Sequence, residues 1–163
     1  MTATNTSERK LFRNPAAALA LLALAGCAPS HENAKAVDTY PPMKVVELAA
    51  SAAPATVSVS VELTVRGAGH SNGILYLNSE TDYRDQRCVT IAVMPSALPR
   101  LRERFGQDLE QVLKGRKITV KGEAQRVTVW FFSNGIRTDK YYFQTQLAVW
   151  NAEQVSAADG TGA

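Results

Sequence analysis

Residues 96–132 read SALPRLRERFGQDLEQVLKGRKITVKGEAQRVTVWFF, and within them the spacing of the apolar residues changes from that of a helix to that of a strand. The first half predicts one amphipathic helix, capped by Ser96 and ended by Gly115. In the second half apolar and polar residues alternate, and the apolar positions shift from even to odd numbers near Gln125 and Arg126. Such a shift is typical of a β-bulge. The helix is therefore predicted to lead into a long, bulged strand.

Three further strands are predicted before this helix and one after the long strand. Residues 56–65 read TVSVSVELTV and place their apolar side chains on one face of a strand. Residues 74–78 and 87–94 are the next two runs, and residues 141–155 form the last strand after the turn sequence Ser-Asn-Gly at 133–135. This order predicts a mainly β protein, a five-stranded OB-fold barrel with one helix between strands three and four.

Three segments of the chain resemble a bacterial OB-fold family. They are GILYLNSETDYRD at 73–85, KGRKITVKG at 114–122 and WNAEQV at 150–155. The family is grouped with the nucleic-acid-binding OB domains, including anticodon-binding ones, so the resemblance implies an OB barrel that binds nucleic acid. It covers about residues 56–155. The chain departs from the family at Ala152-Glu153, where Asp-Pro is common, which leaves the final turn open.

The N-terminus has the layout of a secretory signal peptide. Arg9, Lys10 and Arg13 precede an apolar run at 16–25, which is much shorter than the ~20 residues that a membrane-spanning helix needs. The run closes with Leu-Ala-Gly-Cys at 24–27, which resembles the lipobox of bacterial lipoproteins. We therefore expect export followed by cleavage.

The lipobox resemblance implies cleavage between Gly26 and Cys27 and a covalent lipid on Cys27, with no other cofactor expected. Ala28 stands where an Asp would retain a lipoprotein at the inner membrane. The expected location is the cell envelope, with the outer membrane, facing the periplasm or the surface, favoured over the inner membrane. The predicted organisation is a signal peptide at 1–26, a lipidated Cys27 with a flexible tether at 27–55, the OB-fold domain at 56–155 and a disordered tail at 156–163.

The charge of the chain lies mostly in the predicted signal peptide. The whole sequence is formally +3, whereas residues 27–163 hold 15 Lys and Arg against 14 Asp and Glu. A polyanion partner normally shows as a basic excess, because phosphate binding depends on Lys and Arg displacing counterions. The near-neutral charge favours a partner other than a polyanion.

The candidate ligand-binding residues are aromatic and polar side chains on or beside the predicted barrel: Tyr76, Asn78, Tyr83, Arg84, Trp130 and Tyr142. OB barrels bind single strands by stacking bases on exposed aromatics and tracking the backbone with basic groups. The alternative is that these aromatics fill the barrel or pack under the helix. Glu80, Asp82 and Asp85 are weak metal candidates, since acidic residues between strands more often order turns. No catalytic residues and no zinc-site spacing are found.

Three functions remain open from the sequence. The first is a membrane-anchored envelope lipoprotein whose OB domain binds a protein, peptide or glycan partner. The second is single-stranded nucleic-acid binding by the barrel, which predicts a steep salt dependence that a neutral groove would not show. The third is an accessory domain in nucleotide metabolism. A non-enzymatic role is expected in the first two cases.

Overall fold

The computed structural model describes residues 38–158. The predicted signal peptide, Cys27 and residues 159–163 lie outside the described residues, so the lipobox and its lipid stay predictions. Within residues 38–158, no helix is both long enough and apolar enough to cross a membrane.

The described residues form eight strands and three helices, with a 3-10 turn at Ala152–Gln154. The strands are β1 (Thr39–Tyr40), β2 (Val57–Thr64), β3 (Gly67–Ser71), β4 (Ile74–Asn78), β5 (Val89–Val93), β6 (Lys117–Ser133), β7 (Ile136–Val149) and β8 (Val155–Ala157). The helices are α1 (Pro42–Ala52), α2 (Leu98–Phe105) and α3 (Leu109–Leu113).

All eight strands belong to one sheet, in the order β1-β2-β6-β7-β5-β4-β3, with β8 beside β6. Only Val65 and Arg66 separate β2 from β3, although the two strands lie far apart in this order. The chain bends there, and the sheet curls as a result. With β2 and β3 taken as one bent strand, the long strands follow the predicted sequence of three strands, helix and two strands.

The mainly β class is therefore confirmed, and the topology is consistent with an OB-like fold. The strand number is larger than the predicted five, because residues 67–71 beyond the predicted first strand form β3, and the short strands β1 and β8 are added. β5 and β7 pair in parallel, whereas β6 and β7 form an antiparallel hairpin.

The core is built from the inward positions of the strands together with the apolar sides of the helices. Its largest fully buried side chains include Leu75, Leu77, Ile91, Leu101, Leu113, Ile118 and Leu147. Leu101 and Leu113 come from the helices, and alternation places the others on one face of their strands, because successive side chains of a strand point to opposite sides of a sheet. The outward positions of the same strands are left to form a surface.

The packed part of the chain starts earlier than the predicted domain boundary at residue 56. Pro42 occupies the first turn of α1, where a missing N–H costs nothing, and Val45 and Ala49 of this helix are fully buried in the core. β1 pairs with β2 in parallel. At the other end β8 pairs with β6, so the residues after 155 are packed through Ala157. The prolines and alanines around this helix are the composition from which a flexible tether is predicted at 27–55, but α1 is packed on the core.

The single predicted helix is two helices. Gly106 has φ +116°, which no helical residue adopts, and it separates α2 from α3. The carboxylate of Asp108 then caps α3 by accepting a hydrogen bond from the Gln111 N–H at 3.2 Å. Ser96 is not a cap, because its hydroxyl donates to the Trp150 carbonyl oxygen at 2.8 Å. The apolar stripe continues across the break, so the spacing of the apolar residues does not reveal where the helix is interrupted.

The predicted bulge near Gln125 and Arg126 is absent. β6 pairs regularly with β7 from Ala124 to Trp130, and the register shifts only between Trp130 and Phe132. The apolar residues change parity because the strand runs beyond the core. Its even positions pass from buried Ala124 to exposed Arg126 and Trp130, while its odd positions become partly covered on the other side.

Candidate functional site

A pocket of about 490 Å³ lies on the outer face of the curled sheet, where β4, β5 and β7 form its floor and β3 curls over one side. Pockets of this size hold small organic ligands. Its lining side chains are small, aromatic or polar: Ala68, Gly69, His70, Ser71, Tyr76, Asn78, Tyr83, Thr90, Val129, Tyr142, Gln144 and Gln146.

Strand alternation places the floor residues. Leu75 and Leu77 point into the core, so Tyr76 and Asn78 of the same strand point outward. Thr90 lies between two buried apolar residues of β5 in the same way. Each strand thus presents an apolar side chain to the core and a polar one to the pocket.

The polar side chains of the floor are bonded to one another. The Thr90 hydroxyl donates to Asn78 Oδ1 at 2.9 Å, and Gln146 Nε2 donates to Gln144 Oε1 at 2.7 Å. Gln144 Nε2 in turn donates to the backbone oxygen of Tyr83 at 3.0 Å, which ties the loop after β4 to β7. Among residues 38–158 no buried side-chain nitrogen or oxygen lacks a partner. The floor is therefore preorganised.

The pocket itself is close to neutral. Its lining includes neither Lys, Arg, Asp nor Glu, and its one histidine, His70, contacts the carboxylate of Glu110 on α3. Burial raises the pKa of Tyr142, so this phenol is uncharged at neutral pH and can donate a hydrogen bond. Such a lining suits a ligand that is bound by stacking and hydrogen bonds.

Arg84 stands beside the pocket. Its guanidinium carbon lies 5.8 Å from the centre of the Tyr83 ring. Its Nε and Nη2 donate to the two oxygens of Asp82 at 3.0 and 3.1 Å. The Asp82 carboxylate holds the arginine next to the ring, and the hydrogen bond from Arg84 lowers the pKa of Asp82. This arginine places a positive charge next to Tyr83, an exposed aromatic residue of the pocket.

The acidic residues of the loop are paired with arginines. Asp85 accepts hydrogen bonds from the side chain and the backbone N–H of Arg87, and these lower the pKa of Asp85 to about 2. Glu80 pairs with Arg66 at 3.0 Å. In the part of the chain from 38 to 158, no group of three His, Cys, Asp or Glu side chains could hold a metal ion. The weak metal candidates Glu80, Asp82 and Asp85 instead order the loop.

The structure brings four of the six predicted ligand-binding residues together. Tyr76, Asn78, Tyr83 and Tyr142 line the pocket, and Arg84 lies next to it. Trp130 does not join them. It lies on the other face of β6, with its ring centre 5.1 Å from that of Tyr141 and 4.7 Å from the Arg137 guanidinium carbon.

Several lining residues were not among the predicted candidates. Gln144 and Gln146 alternate with Tyr142, so the sequence does place them on its face, but it leaves open which face of that strand is buried. Gly69 and His70 could not be found from the sequence, because they reach the pocket through the curl of β3. Because Gln144 and Gln146 line the pocket, the site is more polar than the expected aromatic surface.

No protein-family model matches the chain, and no curated protein matches it either. Among solved structures, an aspartyl-tRNA synthetase from Entamoeba histolytica is similar at 11% identity and a TM-score of 0.42, over 80% of this chain and 24% of that one. An aspartyl-tRNA synthetase structure from Leishmania major Friedlin is similar at 10% identity and a TM-score of 0.41, over 80% and 23%. The chain spans about a quarter of their length.

Proposed function

We propose that the domain binds single-stranded nucleic acid by receiving one or more bases in the outer pocket. The observation that supports this most is the position of the pocket. OB domains bind oligonucleotides and oligosaccharides on the face of their second and third strands, between two loops. Here β4 and β5 are the second and third strands, and the pocket on their outer face is flanked by the β3–β4 turn at Asn72–Gly73 and by the β6–β7 hairpin.

The side chains of the pocket fit a nucleobase. Tyr76, Tyr83 and Tyr142 offer aromatic surfaces, and stacking of one base on an aromatic side chain is worth about 1–3 kcal/mol. Gln144 and Gln146 offer amide groups, which can both donate to and accept from a base edge. The floor is already fixed by hydrogen bonds, so little ordering accompanies binding.

The neutral lining sets the expected salt dependence. For single strands the logarithm of the binding constant falls with the logarithm of salt by about 0.7 for each phosphate neutralised. The lining contains neither Lys nor Arg, and Arg84 lies next to it, so we expect only one or two such contacts. The proposed binding is therefore driven by stacking and depends weakly on salt.

The test compares two tyrosines that are equally exposed, at 51%, but lie in different places. Tyr83 lines the pocket, whereas Tyr141 lies on the opposite face of β7 from Tyr142. The chain from Ala28 to Ala163 is titrated into a labelled single-stranded oligonucleotide. We expect Tyr83→Ala to weaken binding about tenfold and Tyr141→Ala to leave it unchanged. Equal losses in both variants would contradict the proposal.

A glycan is the second candidate ligand. The lining favours it because tyrosines and amides, with neither Lys nor Arg among them, also suit a neutral sugar, and OB domains bind oligosaccharides on the same face. A glycan fits the concave pocket better than a protein or peptide partner does. Competition for the labelled oligonucleotide decides between the two ligands. Displacement by an unlabelled oligonucleotide but not by an oligosaccharide supports nucleic acid.

The proposal also includes the cell envelope as the location and binding without turnover as the activity. Residues 24–27 support the location, because they resemble a lipobox that would put a lipid on Cys27. Protein recovered from the membrane fraction should carry an acyl mass on Cys27, and the Cys27→Ser variant should lack that mass. A membrane-fraction protein with an unmodified Cys27 would contradict lipid anchoring.

A further inference from the structure

The distal part of the β6–β7 hairpin forms a tip of unusual composition. Residues 127–136 read VTVWFFSNGI, ten residues without a charged side chain. Asn134 and Gly135, with φ values of 50° and 76°, form the two-residue turn at its end. We name residues 127–136 the hairpin tip.

Both faces of the hairpin tip carry exposed apolar side chains. Phe132 is 65% exposed and lies on the Trp130 side, where its strand partner Arg137 covers the Trp130 ring. Ile136 is 73% exposed and, by alternation, lies on the other side with Phe131. A flat protein partner would cover one face only. A tip that is apolar on both sides suits insertion into a fluid apolar phase.

Arginines bracket the hairpin tip in sequence and lie against its aromatic side. Arg126 precedes it, with its guanidinium carbon 4.5 Å from the centre of the Phe143 ring. Arg137 follows it and lies 4.7 Å from the Trp130 ring. Trp and Tyr are enriched where a bilayer meets water. Arg is favoured there too, because its aliphatic stem lies along apolar surface while its guanidinium stays in water.

We propose that the hairpin tip inserts into the interfacial region of a phospholipid bilayer, with Arg126 and Arg137 at the level of the phosphates. From Trp130 to the turn the strand advances about 10 Å, which matches the ~5–10 Å to which interfacial segments are buried. The two arginines complement anionic headgroups, so we expect an anionic surface to be preferred. Val129 at the base of the tip also lines the pocket, but the other residues of the tip lie outside it, and their role goes beyond the proposed function.

The length of the N-terminal segment is compatible with this arrangement. Eleven residues lie between Cys27 and Thr39, the first strand residue, and the twelve steps along the chain span at most about 40 Å. A lipid on Cys27 and the hairpin tip could therefore reach one bilayer. Lipidation would not be needed for the tip to bind, so the lipid-free chain from Ala28 to Ala163 is the right material for a test.

The chain contains two tryptophans, which makes Trp130 a direct reporter. Trp150→Phe leaves Trp130 as the remaining one. Vesicles of phosphatidylglycerol and phosphatidylcholine in equal parts should shift Trp130 emission to the blue, brominated lipids should quench it, and the protein should float with the vesicles. Pure phosphatidylcholine should give a weaker effect. No shift and no flotation with either vesicle would overturn the proposal.

The decisive variant is Phe132→Ser combined with Ile136→Ser, both at exposed positions. We expect it to lower vesicle partitioning at least about tenfold, because two large apolar side chains no longer enter the bilayer. Met43→Ser on α1 is the matched control, since it removes an exposed apolar side chain elsewhere and should change nothing. A blue shift that grows with protein concentration without vesicles would mean self-association and would also overturn the proposal, whatever the oligonucleotide result.

Discussion

The two ends of β7 serve different purposes although its alternation continues from one to the other. Leu147 and Val149 are fully buried in the core. Nearer the turn, on the same face, Phe143 is 42% exposed and Tyr141 is 51% exposed. β6 pairs with β7 from Ile136 to Leu147, but the remaining core elements cover only the end of β7 that is far from the turn. Alternation thus defines a face, and the neighbouring elements decide whether that face is core or surface.

The two faces of the same hairpin differ in the chemistry of their side chains. The face with Tyr142 and Gln144 is bonded into a neutral, polar pocket, whereas the face with Trp130 and Phe143 carries aromatic rings covered by arginines. The first face has room for a ligand of defined shape. The second has a broad apolar surface that continues around the hairpin tip to Ile136, and we assign this surface to a bilayer and the pocket to a ligand.

The largest expected effect tests the difference between the two ends of β7. Leu147→Ala should lower the free energy of unfolding by about 2–5 kcal/mol, because it leaves a cavity in the core. Phe143→Ala, on the same face, should lower it by about 1 kcal/mol or less, because it loses only exposed ring contacts. Urea unfolding of both variants is the measurement. Equal losses would show that the hairpin is part of the stabilising core.

The next effect tests the pocket without removing a contact. Gly69 pairs with Tyr76 across β3 and β4, so a side chain added there points to the pocket, and a Cβ at this position meets nothing within 4 Å. Gly69→Leu should reduce oligonucleotide affinity at least about tenfold by filling the space, with little change in stability. Gly69→Ala should have a smaller effect. Full affinity in the leucine variant would mean that ligand binds elsewhere.

The order of the elements could be predicted from the sequence because periods of two and 3.6 residues are local signals. The pairing of Tyr76 with Asn78 on one face follows from the same rule, as does the burial of Leu75 and Leu77. The pocket itself could not be predicted. It needs the bend at Val65, which brings Gly69 over the sheet, and this bend depends on contacts between distant parts of the chain.

Two of the wrong predictions have a common physical cause. The absent bulge near Arg126 and the burial of Val45 both depend on how far the core extends in space, whereas the helix break comes from the backbone conformation of Gly106. A periodic pattern records which side chains share a face but not where the neighbouring elements end. Trp130 was expected with the pocket aromatics for the same reason.

A smaller effect concerns the arginine on the aromatic side of the hairpin. Arg126→Gln should lower the free energy of unfolding by about 0.5–1 kcal/mol, since its guanidinium no longer lies over the Phe143 ring. Oligonucleotide affinity should stay within about twofold of the original, because Arg126 lies on the face away from the pocket. The variant would lose a phosphate contact only if the nucleic acid bound to this face. A steep loss of affinity would place the nucleic acid on the aromatic side.

The smallest effect is the pH dependence from Asp85. Its pKa is lowered to about 2 in the folded state by hydrogen bonds from Arg87, against about 3.9 in an unfolded chain. The carboxylate therefore contributes stability above about pH 4, and the contribution is lost as the pH falls towards 2. Carboxyl NMR titration should find the low pKa, and Asp85→Asn should reduce the loss of stability on acidification. A pKa near 4 would show that the pairing is absent in solution.

The most direct test of nucleic-acid binding by the pocket is the affinity of the Ala28–Ala163 chain for a labelled single-stranded oligonucleotide over a tenfold range of salt. One or two phosphate contacts predict saturable binding that weakens only about 5–25-fold across this range. A loss of several thousandfold would indicate a basic groove that these residues do not form. The absence of saturable binding at the lowest salt would contradict the account outright.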